Sequence, residues 1–147
     1  MRLLLTVVLV VIGTIPQFYL PAASAVQEKS QFQLHLVRKI YVGTMGETDE
    51  AERFRLLLEE ELSAKGFTIV DRREKADGIL SGILSVRVHD KKTQARVYVK
   101  LETLSGARIW GKDIGSRVTS LFNRAEPVKL RARDVAKALR AAWERTK

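Results

Sequence analysis

The pattern of apolar and polar positions predicts a central group of strands with one helix among them and another at the end. In the segment 94–102, polar residues alternate strictly with apolar ones, which is typical of an antiparallel strand buried on one face. The polar segment 89–93 precedes it and predicts a hairpin turn. Four further segments are rich in β-branched and other apolar residues, as strands are: 36–42, 67–70, 78–88 and 108–113.

Two other segments carry apolar residues at helical spacing. The first runs from about Asp49 to Lys65, with Thr48 or Asp49 as its N-cap and Gly66 as its stop. Its predicted buried face consists of Ala51, Phe54, Leu57, Leu58 and Leu62. The second helix is expected to begin at Pro127. Its apolar residues fall within about 120° of arc: Val128, Ala132, Val135, Ala136, Leu139, Ala142 and Trp143.

The resulting order, β-α-β-β-β-β-α, predicts an α+β fold. The first β-α-β unit should be a parallel crossover, and the later strands should form an antiparallel meander. Both helices need an apolar surface, and one face of a four- to five-stranded mixed sheet supplies it. We therefore expect a two-layer sandwich with both helices on one face. The segment 115–126 is less regular, and we expect a loop with part of a strand there.

The N-terminus has the pattern of a secretory signal peptide. Arg2 precedes an apolar segment of 13 residues, Leu3–Ile15, and the small residues Ala23 and Ala25 flank Ser24 at a candidate cleavage site. An uncleaved membrane anchor is the alternative, although a span needs about 20 apolar residues. We predict a signal peptide over 1–25, a flexible lead-in over 26–35 and one α+β domain over 36–147. The mature protein would be periplasmic or secreted.

Composition changes this picture in two ways. The chain has no cysteine, which excludes disulfides, zinc–thiolate sites, iron–sulfur clusters and lipid attachment through cysteine. Its net charge of +9 favours anionic partners. Four basic residues follow the edge of the apolar face of the second helix, and we call them the basic stripe: Lys129, Arg133, Lys137 and Arg140. They are a candidate contact for an anionic partner; the alternative is a solvated face that maintains solubility.

The sequence contains no recognisable catalytic pattern. His35 and His89 have no partner at metal-ligand spacing, and no serine lies in a G-x-S-x-G motif. No phosphate-binding glycine motif follows the first strand. Glu61 lies on the apolar face of the first helix and is expected either to extend to the edge of that face or to meet a basic residue, rather than to act in catalysis. We therefore expect no enzyme activity, no cofactor and no metal.

Three short segments resemble a group of bacterial envelope proteins. They are 38–42 (RKIYV), 75–82 (KADGILSG) and 105–111 (SGARIWG). The group comprises the curli-secretion (CsgG-like) domain, the lipoprotein activators of penicillin-binding proteins and the N-terminal domain of the Tol-system periplasmic protein. The resemblance implies an α+β fold and non-enzymatic binding of other envelope components. The chain lacks the lipidated cysteine of the lipoprotein members and the long insertions that a channel needs.

Together these observations predict an exported, non-enzymatic module that binds or assembles with components of the bacterial cell envelope. The expected partner is an envelope protein or an anionic envelope component. We expect no nucleic acid partner and no stable membrane span after signal cleavage. Two alternatives remain: a small exported enzyme with a cryptic site, and a basic nucleic-acid-binding protein. The sequence does not determine the oligomeric state.

Overall fold

The computed structural model describes residues 34–89, 92–120 and 125–147, except for the side chains of 116–120 and 125. Two helices and five strands follow one another in the predicted order. They are β1 (Lys39–Val42), α1 (Asp49–Ala64), β2 (Thr68–Ile69), β3 (Gly78–His89), β4 (Lys92–Glu102), β5 (Arg108–Ser120) and α2 (Ala125–Glu144). A short 3₁₀ turn, Arg73–Lys75, precedes β3.

The five strands form one mixed sheet in the order β2-β1-β3-β4-β5. The first strand pairs in parallel with β2 and with β3, as the predicted crossover requires. The strands β3, β4 and β5 pair antiparallel and form the predicted meander. In β4, buried and exposed residues alternate over nearly the whole strand. One face of the sheet therefore carries the core and both helices, and the predicted α+β sandwich is confirmed.

The helix α1 begins and ends where its sequence signals predict. Of the two candidate caps, the structure selects Thr48, whose Oγ1 accepts a hydrogen bond of 3.2 Å from the Ala51 N–H. This bond satisfies one of the amides that lack a partner at a helix start. At the other end Gly66 adopts a positive φ of 87°, a conformation that L side chains rarely take. The predicted face packs inward, with Leu57 only partly buried.

The helix α2 lies beside α1 on the sheet and places its apolar face in the core. Leu139 and Trp143 are buried together with Phe54 and Leu58, as predicted. Only 1% of Trp143 is exposed, and its indole N–H donates a hydrogen bond of 3.1 Å to the Val37 carbonyl. That bond satisfies a donor that burial would otherwise leave without a partner.

The expectation of a loop with part of a strand over 115–126 was right only for the strand part, which is longer than predicted. The strand β5 continues to Ser120, and α2 begins at Ala125, two residues before the proline expected to open it. The strand β4 begins at Lys92, two residues before the predicted alternating segment, and Lys92 lies opposite Ser120, so β5 is paired to its end. Ala95 and Val97 of β4 lie opposite Arg117 and Ile114, so β5 contains one residue more than β4 in this part of the ladder. That bulge explains why the sequence pattern concealed the strand.

The domain also starts earlier than predicted. Leu34 belongs to the core, although the sequence placed it in the flexible lead-in. The Val37 N–H donates to the Leu34 carbonyl over 3.1 Å in a turn, so the first strand begins at Lys39 rather than at residue 36. The predicted signal peptide and the rest of the lead-in lie outside the described residues. Within the described part of the chain, neither helix is long and apolar enough to cross a membrane.

The segments that carry the family resemblance occupy structural positions. The carboxylate of Asp77 accepts hydrogen bonds from the backbone N–H groups of Arg38 and Lys39, over 2.9 and 2.7 Å, and so fixes the start of β1. A Cβ on Gly82 would lie 2.2 Å from the Tyr98 carbonyl oxygen, which only glycine avoids. Trp110 packs, partly buried, against the core. These residues build the sheet rather than a reactive centre.

Replacing Trp143 with alanine tests the docking of α2. We expect the free energy of unfolding to fall by about 3–5 kcal/mol, because the substitution leaves a cavity in the core and removes the bond to Val37. Urea denaturation measures the loss. The matched control is Leu56→Ala, since Leu56 is 53% exposed on α1 and its loss should change stability by no more than about 0.5 kcal/mol. A loss below about 1 kcal/mol for Trp143→Ala would show that α2 is not docked in this way.

Candidate functional site

The structure divides the basic stripe into two pairs. Lys129 and Lys137 are exposed on α2. Arg133 lies 3.5 Å from Glu61 of α1, measured from Nε to Oε1, which is the basic contact predicted for that carboxylate. Arg140 donates from Nη1 to the Lys65 carbonyl over 3.1 Å and from Nε to Glu144 over 2.7 Å. Half of the stripe therefore joins the two helices, and the other half faces solvent.

A group of cations surrounds the buried indole of Trp143. The Arg38 and Arg140 guanidinium carbons lie 4.3 and 4.6 Å from the ring centroid, and the Lys147 ammonium nitrogen lies 4.2 Å from it. Cations at such distances are attracted by the negative face of the ring. Both helices end in this region, and their C-terminal carbonyls also favour positive charge. These contacts indicate that the group of cations around Trp143 stabilises the fold.

The sheet face opposite the helices is uncovered among the described elements and is strongly polar. Arg96 forms an ion pair with Asp113 of the next strand, and Lys100 donates to Glu102 over 2.8 Å. Near them Arg108 extends across Gly111, where a Cβ would lie 2.1 Å from its Nη2, and reaches to 5.6 Å from the ring centroid of Tyr98. We call this surface the open face.

One end of the open face forms a shallow basic cleft of about 180 Å³. Its lining consists of Ser85, Arg87, Gln94 and Arg96. Guanidinium groups present planar sets of donors that fit carboxylates and phosphates. The cleft is therefore suited to an anionic group at the surface rather than to an enclosed substrate.

Hydrogen bonding shifts the pKa of the Arg96–Asp113 pair. The bonds from the Arg96 guanidinium hold the pKa of Asp113 below its ordinary value of 3.8. The same bonds raise the pKa of Arg96 above its ordinary value. Such shifts belong to an ion pair that joins two strands. On α1, the pKa of Glu52 is lowered in the same way by Arg55, which lies three residues further along the helix.

Two further features bear on the chemistry of the site. Among the described residues, no group of three or more His, Asp or Glu side chains could hold a metal ion.

Arg131 is 3% exposed, donates over 2.8 Å to the Gly115 carbonyl and lies 3.1 Å from Asp134. It anchors the bulged part of β5 to α2. Nothing in the helical pattern separates this buried arginine from the solvated ones, so sequence reasoning did not find it.

No protein-family model matches the sequence, and no curated protein matches it significantly. Solved structures do match the fold. A PelC dodecamer from Paraburkholderia phytofirmans is 20% identical over 72% of this chain and 86% of that one, with a TM-score of 0.51. A protein described only as uncharacterized is 12% identical over 75% and 92%, with a TM-score of 0.51. A minor lipoprotein from Acinetobacter baumannii is 14% identical over 72% and 94%, with a TM-score of 0.47.

At these identities the likeness establishes the fold. The structures named here do not include the curli-secretion, penicillin-binding-protein activator or Tol groups to which the sequence motifs pointed. The narrower assignment to those groups is therefore not supported.

Neutralising the two halves of the basic stripe separately tests their roles. Arg140→Gln should lower the free energy of unfolding by about 1–2 kcal/mol, because the Lys65 carbonyl loses its cationic donor and the Trp143 ring loses one of its three cations. The double variant Lys129→Gln, Lys137→Gln should change it by no more than about 0.5 kcal/mol. Chemical denaturation of both proteins measures the difference. Equal losses would contradict the division of the stripe.

The Arg96–Asp113 pair predicts a dependence of stability on pH. Because the pKa of Asp113 is lowered in the folded state, the pair stabilises the fold above the ordinary value of 3.8. Its contribution is lost as the pH falls through the lowered value. An NMR titration should therefore find the Asp113 pKa below 3.8, and the substitution Arg96→Gln should raise it. The pKa of Glu52 serves as the control, since it should not respond to that substitution. An unchanged Asp113 pKa would contradict the pairing.

Proposed function

We propose that the protein is an exported, non-enzymatic module of the bacterial cell envelope that assembles with copies of itself and binds an anionic envelope component. The observation that carries this proposal is the fold shared with PelC, a protein solved as a dodecamer. The signal-like N-terminus supports export. The envelope resemblance of the sequence motifs points to the same compartment.

The geometry of the described residues supports binding rather than catalysis. Several charged side chains of the open face are engaged with one another or with Tyr98, across a broad surface. The clefts found among the described residues lie open at the surface, and they measure about 180 to 420 Å³. Small-molecule sites commonly bury most of the ligand. An extended anionic chain suits such a surface better than a small substrate does.

The anionic partner is proposed from the distribution of charge. Lys129 and Lys137 face solvent on α2, and Arg87 and Arg108 lie on the open face. The chain would carry a net charge of +8 after removal of Arg2 with the signal peptide. Such a surface attracts polyanions, and salt screens the attraction beyond about 8 Å at physiological ionic strength. Binding should therefore weaken as salt is added.

Export and self-assembly are tested together on protein from its native host. We expect a mature N-terminus at Val26 by mass spectrometry and a mass of several subunits by native mass spectrometry and light scattering. Retention of Met1 in a cytoplasmic fraction would contradict export. A monomer at all concentrations up to about 1 mM, which corresponds to an association weaker than about 4 kcal/mol, would contradict self-assembly.

A further inference from the structure

The far end of β3 extends beyond its neighbour in the sheet. After Val42 the chain continues beside β3 only as far as Met45, whose carbonyl accepts from the Leu84 N–H over 2.8 Å. It then turns into α1. Amides point alternately to the two sides of a strand, so the N–H groups of Val86 and Val88 point, like that of Leu84, away from β4. No backbone carbonyl in the described part of the chain pairs with them.

The side chains around this free edge are largely apolar. Ile83 is 65% exposed and Val88 is 48% exposed. Together with Val86 they line a cleft of about 420 Å³ beside the first turn of α1. That turn is acidic, and its Glu50 is part of the lining. Unpaired backbone groups next to apolar side chains form a template on which another strand can pair.

The strand β5 offers a complementary edge on the other side of the same sheet. It is the last strand in the sheet order, so no described strand pairs with its outer side. Trp110, Lys112 and Ile114 lie opposite Leu101, Val99 and Val97 of β4 and therefore share the helix-covered face. Trp110 and Ile114 are partly buried, and Lys112 is exposed.

We propose that β5 of one copy pairs with the free end of β3 in the next copy, with the helices of both copies on the same side. The row Trp110, Lys112, Ile114 would then adjoin Val86 and Val88, and Lys112 would approach Glu50. The apolar residues cover one another, and the single charge in the row meets the acidic helix start. This inference rests on the proposed self-assembly and adds the surfaces that perform it.

The contact joins two different surfaces, so it leaves a free edge at each end of a growing chain of subunits. Contacts of this type repeat until a ring closes or a filament forms.

The short strand β2, at the opposite end of the sheet from β5, has only two residues and offers far less pairing. Leu34, at the start of the described chain, lies beside Trp110 and Thr146 in a cleft at the end of α2, so the start of the described chain is near one end of β5 and remote from the free end of β3. The complementary charges of Lys112 and Glu50 and the free edge of β5 therefore favour a second copy of the chain as the partner that pairs with the end of β3.

Disulfide trapping tests the contact directly, because the chain has no cysteine of its own. Two single variants, Glu50→Cys and Lys112→Cys, are made with different affinity tags and mixed under mild oxidation. We expect mixed disulfide dimers, and neither variant alone should cross-link above the level of Lys39→Cys, an exposed control at the start of β1. Cross-linking of either variant with itself would overturn the head-to-tail arrangement.

A proline substitution tests the strand pairing. Val86→Pro removes an amide that points away from β4, so it should leave the β3–β4 ladder intact. The control Val86→Thr keeps both the amide and the branched side chain. We expect Val86→Pro to weaken assembly by at least about tenfold in dissociation constant, with an unchanged circular dichroism spectrum, and Val86→Thr to assemble normally.

Charge reversal tests the same contact without disturbing the backbone. Glu50→Lys and Lys112→Glu should each weaken assembly, and the double variant should restore it. If the wild type is a monomer, self-assembly itself is wrong and this interface falls with it. If the wild type assembles, but the mixed disulfide is absent and Val86→Pro assembles normally, the subunits meet elsewhere and only this inference is overturned.

Discussion

The indole of Trp143 holds together parts of the chain that are remote in sequence. Its N–H bonds the Val37 carbonyl just before β1, its ring meets Phe67 edge-on at a centroid distance of 6.2 Å, and its helix packs on the sheet. A buried donor needs a partner, so this one bond fixes where the end of α2 lies along the sheet. With α2 in that position, Arg140 reaches the carbonyl of Lys65 at the end of α1. The ends of both helices and the start of the sheet are thus joined at one place.

Unequal strand lengths determine which surfaces remain available. The strand β1 has four residues, whereas β3 has twelve, so the parallel part of the sheet covers only the first portion of β3. The helices cover one face of the sheet, and the open face carries ion pairs that need no cover. Along most of the sheet the backbone N–H and C=O groups form hydrogen bonds with a neighbouring strand. Among the described strands, the groups that face outward at the sheet edges are the exception. Free edges and a charged face are the surfaces on which the proposed strand pairing and polyanion binding depend.

Local sequence patterns predicted the helices and strands. The features that they did not predict depend on contacts between residues that are distant in sequence. The strict alternation of residues 94–102 and the apolar face of α1 depend on neighbours in sequence, and both are present in the structure. The bulge in β5 opposite Ala95 and Val97 interrupts its period of two, so the end of β5 was predicted as a loop with only part of a strand. A helical wheel places Arg133 and Arg140 in one stripe with two lysines but contains no information about α1, where Glu61 and Lys65 engage the two arginines. The approach of Arg38 and Lys147 to one ring is equally non-local.

The length of the predicted strands did contain a signal for the free edge. The predicted segment 78–88 has 11 residues and the predicted first strand, 36–42, has seven, so one end of the longer strand lacks a neighbour where the two pair. If copies join through that end with their helices on one side, their open faces form a continuous surface on the other. Arg87 and Arg108 then recur with every subunit. A polyanion that binds weakly to one copy would meet many such sites at high effective concentration, so assembly would convert a modest charge on each copy into strong, salt-sensitive binding.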